Sequence, residues 1–180
     1  MKTEKQSFAT FFWRVYATHL LSYTLLGMIA STLLDYREIF DNSAIYRAYE
    51  SPWIPAGMAL QIVRGLLFAI VLWFFKDVFL FQKYGWLKLW LLVTGLATLS
   101  TTAAAPGSVE GFIYTTIPWS EQIKGYLEVV PQVGLFSFLL CKWYDRPSKA
   151  VNIISVVFVV FLVLMSIMGV MAATGNLQTP

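Results

Sequence analysis

Residues 151–173 form a nearly unbroken apolar run, and this run restricts the fold more than any other feature of the sequence. Polar side chains interrupt it only at Asn152, Ser155 and Ser166. A membrane-spanning helix needs about 20 mainly apolar residues, whereas a membrane-spanning strand needs about 9–11 residues that alternate in polarity. The run has the length of the helix and lacks the alternation of the strand. It therefore predicts a transmembrane helix.

Four more segments have the length and composition of membrane spans: 8–34, 55–79, 84–105 and 121–141. Hydrophobic residues make up 58% of the chain and charged residues 13%, whereas a soluble domain carries about 25% charged residues. A chain of 180 residues is too small to bury so much apolar surface in one aqueous core. We therefore predict an all-α fold, a polytopic membrane helix bundle with five transmembrane helices in a single domain, with outer loops at 35–54 and 106–120.

The distribution of lysine and arginine predicts the orientation of the bundle, because cytoplasmic loops of membrane proteins are enriched in both. One side carries eight of these residues: Lys2, Lys5, Lys76, Lys83, Lys88, Lys142, Arg146 and Lys149. The other side carries Arg37, Arg47 and Lys124. We therefore expect a cytoplasmic N-terminus and an outside C-terminus, which agrees with an odd number of spans. The expected location is a multi-pass position in a membrane, with the bacterial inner membrane as the first candidate.

The residue counts exclude several kinds of site. The chain has one cysteine, Cys141, and one histidine, His19. It therefore has no intrachain disulfide, no bis-histidine haem site and no zinc site with two histidines. It contains no glycine-rich phosphate-binding motif and no G-x-S-x-G hydrolase motif. We expect no cofactor and no metal, and the basic residues between the spans indicate membrane topology rather than binding to nucleic acid.

Arg64 carries the strongest signal for a functional site, because it lies near the middle of the second apolar segment. An arginine at the centre of a membrane helix costs at least about 2.5–3.5 kcal/mol, so something must offset its charge. Gln61 lies one turn earlier on the same helix face. Glu128 in the fourth segment has a similar expected depth. Either Arg64 and Glu128 form a structural ion pair, or they form a ligand or ion site, or Glu128 pairs locally with Lys124.

A polar stripe follows one face of the fourth segment, with members three or four residues apart: Glu121, Gly125, Glu128 and Gln132. Pro131 removes a backbone hydrogen bond beside this stripe. We therefore expect the stripe to form one wall of a polar pocket in the outer half of the bundle. In that pocket, Arg64 would hold the ligand and Glu128 would be its counter-ion or a proton-coupled carboxylate. Gln61 and Gln132 would hydrogen-bond to the ligand.

Three further residues are weaker candidates. His19 interrupts the first segment, and its imidazole titrates near neutral pH, so it is either a proton relay or a histidine hydrogen-bonded to a neighbouring helix. Glu110 and Tyr114 lie in the outer loop 106–120, whose apolar residues predict that it folds back onto the bundle. These two side chains would then close the pocket over Arg64. The alternative for Glu110 is a solvated loop glutamate.

These features leave three functions open. The first is an integral membrane protein that binds or transports a small anionic, zwitterionic or lipid-like ligand, with membrane lipids as its other partners. The second is a non-catalytic structural or accessory subunit of a larger membrane complex or homo-oligomer, in which Arg64 and Glu128 join helices. The third is an intramembrane enzyme that uses Glu128 or Glu110 as a general base. It is the least favoured, because the chain has one histidine and no nucleophile motif.

Overall fold

The computed structural model describes residues 7–42, 46–101 and 103–175, and within these ranges the fold is helical with no strand. The expectation of an all-α fold is confirmed. A π-helical turn at Gly95–Leu99 continues the fourth helix. In chain order the helices are α1 (Phe8–Leu33), α2 (Tyr36–Asp41), α3 (Trp53–Phe79), α4 (Gly85–Thr94), α5 (Val109–Tyr114), α6 (Trp119–Asp145) and α7 (Lys149–Ala173).

Three of these helices, α3, α6 and α7, are long and apolar enough to cross a membrane. Helix α1 has 26 residues but carries more polar side chains. Helix α4 and its π-helical turn together extend only from Gly85 to Leu99, which is about 22 Å and less than the roughly 30 Å of a hydrocarbon core. The described ranges thus hold three candidate spans by length and composition. The five-span arrangement remains a prediction.

The helix in the third apolar segment ends earlier than the sequence predicts, at Leu99 instead of near residue 105. Ser100 already leaves helical geometry, with φ −113° and ψ 37°. The hydroxyl of Thr101 then donates a 2.9 Å hydrogen bond to the carbonyl of Ala103. Such local side-chain bonds compete with helical backbone bonds, which explains why an apolar and helix-compatible composition did not extend the helix.

Helix α1 lies at the centre of the bundle. It packs along both α3 and α6, whereas α4 packs on α6 and α7 packs on α3. The ring of Phe11 lies 5.4 Å from that of Trp73, and eight residues later the ring of His19 lies 5.2 Å from that of Phe68. Residue numbers rise along α1 while those of the contacting residues on α3 fall, so the two helices are antiparallel. Phe11 also contacts Tyr144, and His19 contacts Phe136, so α1 and α6 are antiparallel as well.

Gly65 marks the closest approach of α1 and α3. A Cβ atom at this position would lie 2.7 Å from Cδ2 of Tyr16 and 3.3 Å from its Cα. Small residues allow helix backbones to approach closely where the driving force is packing rather than exclusion of water. The contact fixes Tyr16 in a buried cluster shared by three helices. Its other buried members are Ala17, Leu20, Trp143, Val159 and Leu162.

We expect Gly65→Ala to lower the free energy of unfolding by about 1–3 kcal/mol, because the added methyl group overlaps the ring of Tyr16. Gly57→Ala is the matched control on the same helix, since a Cβ atom there meets nothing within 4 Å. The control should be neutral or slightly stabilising, because alanine is the better helix former. Thermal unfolding of both variants in detergent measures the difference, and equal stabilities would contradict the close crossing.

Candidate functional site

Arg64 lies inside α3, about 17 Å along the helix from Trp53. Its guanidinium carbon lies 5.5 Å from the centroid of the Phe68 ring. The side chain of Arg64 is exposed. Among the residues that the structure describes, Arg64 forms no ion pair and no hydrogen bond. A stacked aromatic ring offsets only about 0.5–2 kcal/mol of the cost of a charge in an apolar setting, so most of that cost is unmet.

A small cavity of about 20 Å³ lies beside Arg64, between α1, α3, α4 with its π-helical turn, and α6. Its polar lining comes from three different helices, through His19, Thr98 and Gln132. A volume of this size holds one water-sized group. The cavity therefore has room for about one oxygen-sized group beside the guanidinium.

Gln132 contributes an unpartnered amide to this cavity. The residue is only 6% exposed, and within the described ranges its amide makes no hydrogen bond. The amide atoms keep accessible surface at the cavity, since the buried side-chain atoms without a hydrogen-bond partner in the described ranges are those of Thr94, Ser137 and Tyr144. The amide NH₂ group is a donor, as are all the guanidinium NH groups of Arg64. Donors from two helices therefore line the same cavity, an arrangement that suits an anionic oxygen atom.

His19 forms the floor of the cavity and is 2% exposed. Its Nε2 atom lies 3.1 Å from Oε1 of Gln61, and the Nε2 atom of Gln61 donates to the carbonyl of Gly57 at 3.2 Å. Because Oε1 of Gln61 is an acceptor, Nε2 of His19 carries the hydrogen, and in the neutral ring Nδ1 is left as an acceptor. Gln61 thus holds the imidazole and does not itself line the cavity.

Glu128 accepts a hydrogen bond from the hydroxyl group of Tyr36. Asp35, with a left-handed φ of 48°, precedes Tyr36 and caps α2 through its side chain. Gly27 of α1 lies on the other side of the carboxylate, where a Cβ atom would be 3.6 Å from Oε1 of Glu128. Burial and the bond to Glu128 raise the pKa of Tyr36 above its ordinary value of 10.0, so the phenol is a donor at neutral pH.

Arg64 and Glu128 do not form an ion pair in the described part of the chain, nor does Glu128 pair with Lys124. The ion pairs found there are Arg37–Glu50 at 2.7 Å and Lys76–Asp77 at 3.3 Å. Gln132 lines the cavity of Arg64, and Glu128 lies one turn of α6 before Gln132, where Tyr36 engages it. Their similar expected depth in the sequence favoured a direct pair of the two charges, which was one of the three alternatives.

Glu110 and Tyr114 are both exposed on the short helix α5, and neither lines the cavity of Arg64. The outer loop does fold back, but it folds onto the start of α6. Gln122, only 3% exposed, organises it. The side chain of Gln122 accepts from the amide of Gly107 at 3.1 Å and donates to the carbonyl of Ile117 at 2.9 Å.

Gly111 shows how tightly this loop is folded. A Cβ atom at this position would lie 2.0 Å from the carbonyl oxygen of Ala105, so no other residue fits without moving the backbone. The Ser108 hydroxyl caps α5 by accepting from the amide of Gly111 at 2.9 Å. Tyr126 also donates a hydrogen bond to the carbonyl of Gly107. The loop is thus a folded cap on α6 and does not cover the Arg64 cavity.

Sequence reasoning missed two residues that hold polar structure together, Tyr36 and Gln122. Tyr36 lies in a loop rich in aromatic and charged residues, where nothing distinguishes it from Tyr46 or Tyr49. Gln122 had a detectable signal, because it is a polar residue next to Glu121 at the start of a long helix and follows a loop rich in glycine and proline. Its four loop contacts depend on a fold that local patterns do not specify.

No known protein family, curated protein or solved structure matches this chain significantly. The geometry of the described residues is therefore the basis for assigning a function.

We expect Tyr36→Phe to lower the free energy of unfolding by about 1.5–3 kcal/mol, because a hydrogen bond to a charged group is lost and Glu128 is left half-buried without it. Tyr114→Phe is the control, since its side chain is exposed and it should change stability by less than about 0.5 kcal/mol. Denaturant unfolding in detergent measures both changes. A Tyr36→Phe variant as stable as the control would show that the phenol does not hold Glu128.

We expect Gln122→Leu to destabilise the outer loop by at least about 1–3 kcal/mol, because several backbone partners lose their bonds inside a buried site. Proteolysis at residues 106–118 should accelerate, since the loop would open locally while the bundle stays folded. Glu121→Leu, an exposed neighbour on the same turn, is the matched control and should leave cleavage unchanged. Equal cleavage of both variants would rule out Gln122 as the organising residue.

Proposed function

We propose that this chain is a membrane protein that binds the anionic part of a small anionic, zwitterionic or lipid-like ligand at Arg64, and holds it or moves it across the membrane. The observation that carries the proposal is the unpartnered guanidinium of Arg64, which lines the same cavity as the unpartnered amide of Gln132. The guanidinium is costly to leave without a partner in an apolar setting, and an anionic oxygen atom in the cavity would offset that cost and accept a hydrogen bond from the amide. His19, whose Nε2 atom is bonded to Gln61, lines the same cavity but in its neutral form offers no further N–H to an anion.

The size of the cavity restricts the ligand. Only one oxygen-sized group fits beside Arg64, so the rest of the ligand must lie outside the cavity. The side chain of Arg64 is exposed on the surface of the bundle, next to the short α4 segment. This surface faces lipid if α3 crosses the membrane. A ligand that approaches from the bilayer with a carboxylate or phosphate group satisfies both conditions. These two conditions favour a lipid-like ligand over a small water-soluble anion.

The proposal includes five spans with the N-terminus in the cytoplasm, in a bacterial inner membrane. Antiparallel packing of the long helices supports it, since each crossing must reverse direction. The end of the bundle with Lys76, Lys142 and Lys149 is then the cytoplasmic one. The short α4 segment requires local thinning of the bilayer or a tilt of its neighbours, which costs fractions of a kcal/mol per ångström. In this arrangement Glu128 and Tyr36 lie nearer the outside than Arg64.

A second candidate function rests on the same observation. The charge of Arg64 is exposed, so a carboxylate from another chain is an alternative source of its partner. The chain would then be an accessory subunit of a larger membrane complex or of a homo-oligomer. The two functions differ in what removes the cost of the charge, which is a diffusible anion in one and a neighbouring protein in the other.

We expect an anion to raise the melting temperature of the wild-type protein in detergent and to have no effect on Arg64→Gln. The probes are inorganic phosphate, acetate and a short-chain phosphatidylglycerol, each tested against its chloride-matched buffer. A ligand at 100 times its dissociation constant stabilises the folded state by about 2.7 kcal/mol. Lys88→Gln is the control, because this exposed lysine on α4 does not line the cavity and its loss removes the same charge.

Two results would contradict the binding proposal. One is an identical shift in the wild type and in Arg64→Gln, which would place the anion elsewhere. The other is a fall in molecular mass on Arg64→Gln in light-scattering measurements, with no shift from any anion. That second result would assign Arg64 to a contact between chains and favour the subunit function.

A further inference from the structure

A second cavity lies at the opposite end of the bundle from Glu128, between α1, α6 and α7. Its volume is about 300 Å³, and it is an open groove with an almost entirely apolar lining. Leu21 of α1, Leu139 of α6 and Ile154 of α7 form its walls. A groove of this volume is within the range of small-molecule sites, and its walls suit an apolar chain.

The groove exists because α6 and α7 diverge. The two helices are consecutive and only residues 146–148 separate them, yet α7 packs along α3 and α6 packs along α1 and α4. Trp143 holds their ends together by donating a 3.1 Å hydrogen bond from its indole nitrogen to Oδ1 of Asn152. Beyond that contact the two helices separate, because α7 packs on α3 whereas α6 packs on α1 and α4. The groove lies in the gap between them.

The polar side chains in the walls of the groove are already satisfied. The hydroxyl of Thr18 donates to the carbonyl of Arg14 at 2.6 Å, and that of Ser155 donates to the carbonyl of Asn152 at 2.8 Å. Ser155 also accepts a hydrogen bond from the indole of Trp13 at 3.0 Å. The groove therefore offers an occupant van der Waals contact but hardly any hydrogen bonds, which excludes a polar ligand along its length.

Two cations line the groove: Lys142 in the last turn of α6, and Arg146 directly after the helix, where φ −134° and ψ 73° leave helical geometry. Both are exposed, and in the described ranges neither forms an ion pair, not even with the adjacent Asp145. Cations are also favourable at a helix C-terminus, but that effect does not require an apolar groove between them and the next helix. Charge and lining together match a molecule with an anionic head and an apolar tail.

We propose that this groove binds an anionic phospholipid, with one acyl chain between α6 and α7 and the phosphate between Lys142 and Arg146. Basic pockets between helices at a membrane surface recognise lipid headgroups in this way. The site is separate from Arg64, because Arg64 of α3 shares a cavity with Gln132, which lies ten residues before Lys142 on α6. A bound acyl chain fills the gap between α6 and α7 and makes their hairpin rigid without a protein partner.

The test uses the full-length protein in phosphatidylcholine nanodiscs that contain a minority of phosphatidylglycerol with a photoactivatable acyl chain. After irradiation, we expect adducts on peptides from residues 139–158. Ile154→Trp should abolish them by filling the groove. Ile153→Trp is the matched control, because Ile153 is exposed to 65% against 66% for Ile154 and does not line the groove.

Competition by unlabelled phosphatidylglycerol, but not by phosphatidylcholine, should remove the adducts in the wild type, which tests selectivity without any variant.

The charges are tested by the double variant Lys142→Gln and Arg146→Gln. We expect the apparent affinity for phosphatidylglycerol to fall about fivefold for each cation removed, because each basic residue near an anionic lipid contributes a similar increment. Lys83→Gln with Lys149→Gln removes the same charge from exposed lysines outside the groove and should bind as the wild type does.

Three results would overturn the proposal. Equal labelling by a photoactivatable phosphatidylcholine would show that the groove does not select an anionic headgroup. Unchanged adducts in Ile154→Trp would place the lipid elsewhere on the bundle. A loss of dimer mass in Ile154→Trp, with no lipid adducts in the wild type, would identify a second copy of this chain as the occupant of the groove.

Discussion

The architecture depends on keeping the polar residues of α1 away from lipid. Within two turns this helix carries Thr18, His19, Ser22 and Thr24, and all four are buried. The hydroxyl groups bond to carbonyls of their own helix, as in the 2.9 Å bond from Ser22 to Thr18. Only the imidazole needs another helix, and Gln61 of α3 supplies that bond. Because such polarity is costly in hydrocarbon, α1 must occupy the centre, and α3 and α6 must cover it.

The sequence predicted the positions of the long helices well, because their apolar runs are several turns long. Helix α3 ends at Phe79 and α7 at Ala173, at the ends of the corresponding apolar segments. The early end of the third helix at Leu99 was not predictable from composition, since alanine and threonine continue the apolar pattern beyond it. Backbone bonds of individual hydroxyl groups determined that end, and local sequence statistics do not contain them.

The partners of the charged residues were harder to predict than their positions. Depth estimated at 1.5 Å per residue has an error of about one turn, because it depends on where each helix begins. One turn is enough to change the partner of Glu128 from Arg64 to Tyr36. The hydroxyl of Tyr36 reaches Glu128 because Asp35 adopts a left-handed conformation, which reverses the chain directly after α1. No periodic pattern in the sequence encodes that reversal, since an aspartate in αL is a local choice made by the tertiary fold.

The two cavities differ because the helices around them separate for different reasons. At Arg64, α4 and its π-helical turn end early, at Leu99, and the neighbouring guanidinium is exposed; in the proposed five-span arrangement it lies at a depth where a charge is costly. At Lys142, α7 leaves α6 to pack on α3, so an apolar surface is exposed where charges are inexpensive. A ligand at Arg64 must therefore supply charge, and its apolar part contributes little. A ligand at Lys142 must supply apolar surface, and its charge chiefly determines selectivity. The two proposed sites thus have opposite chemical requirements.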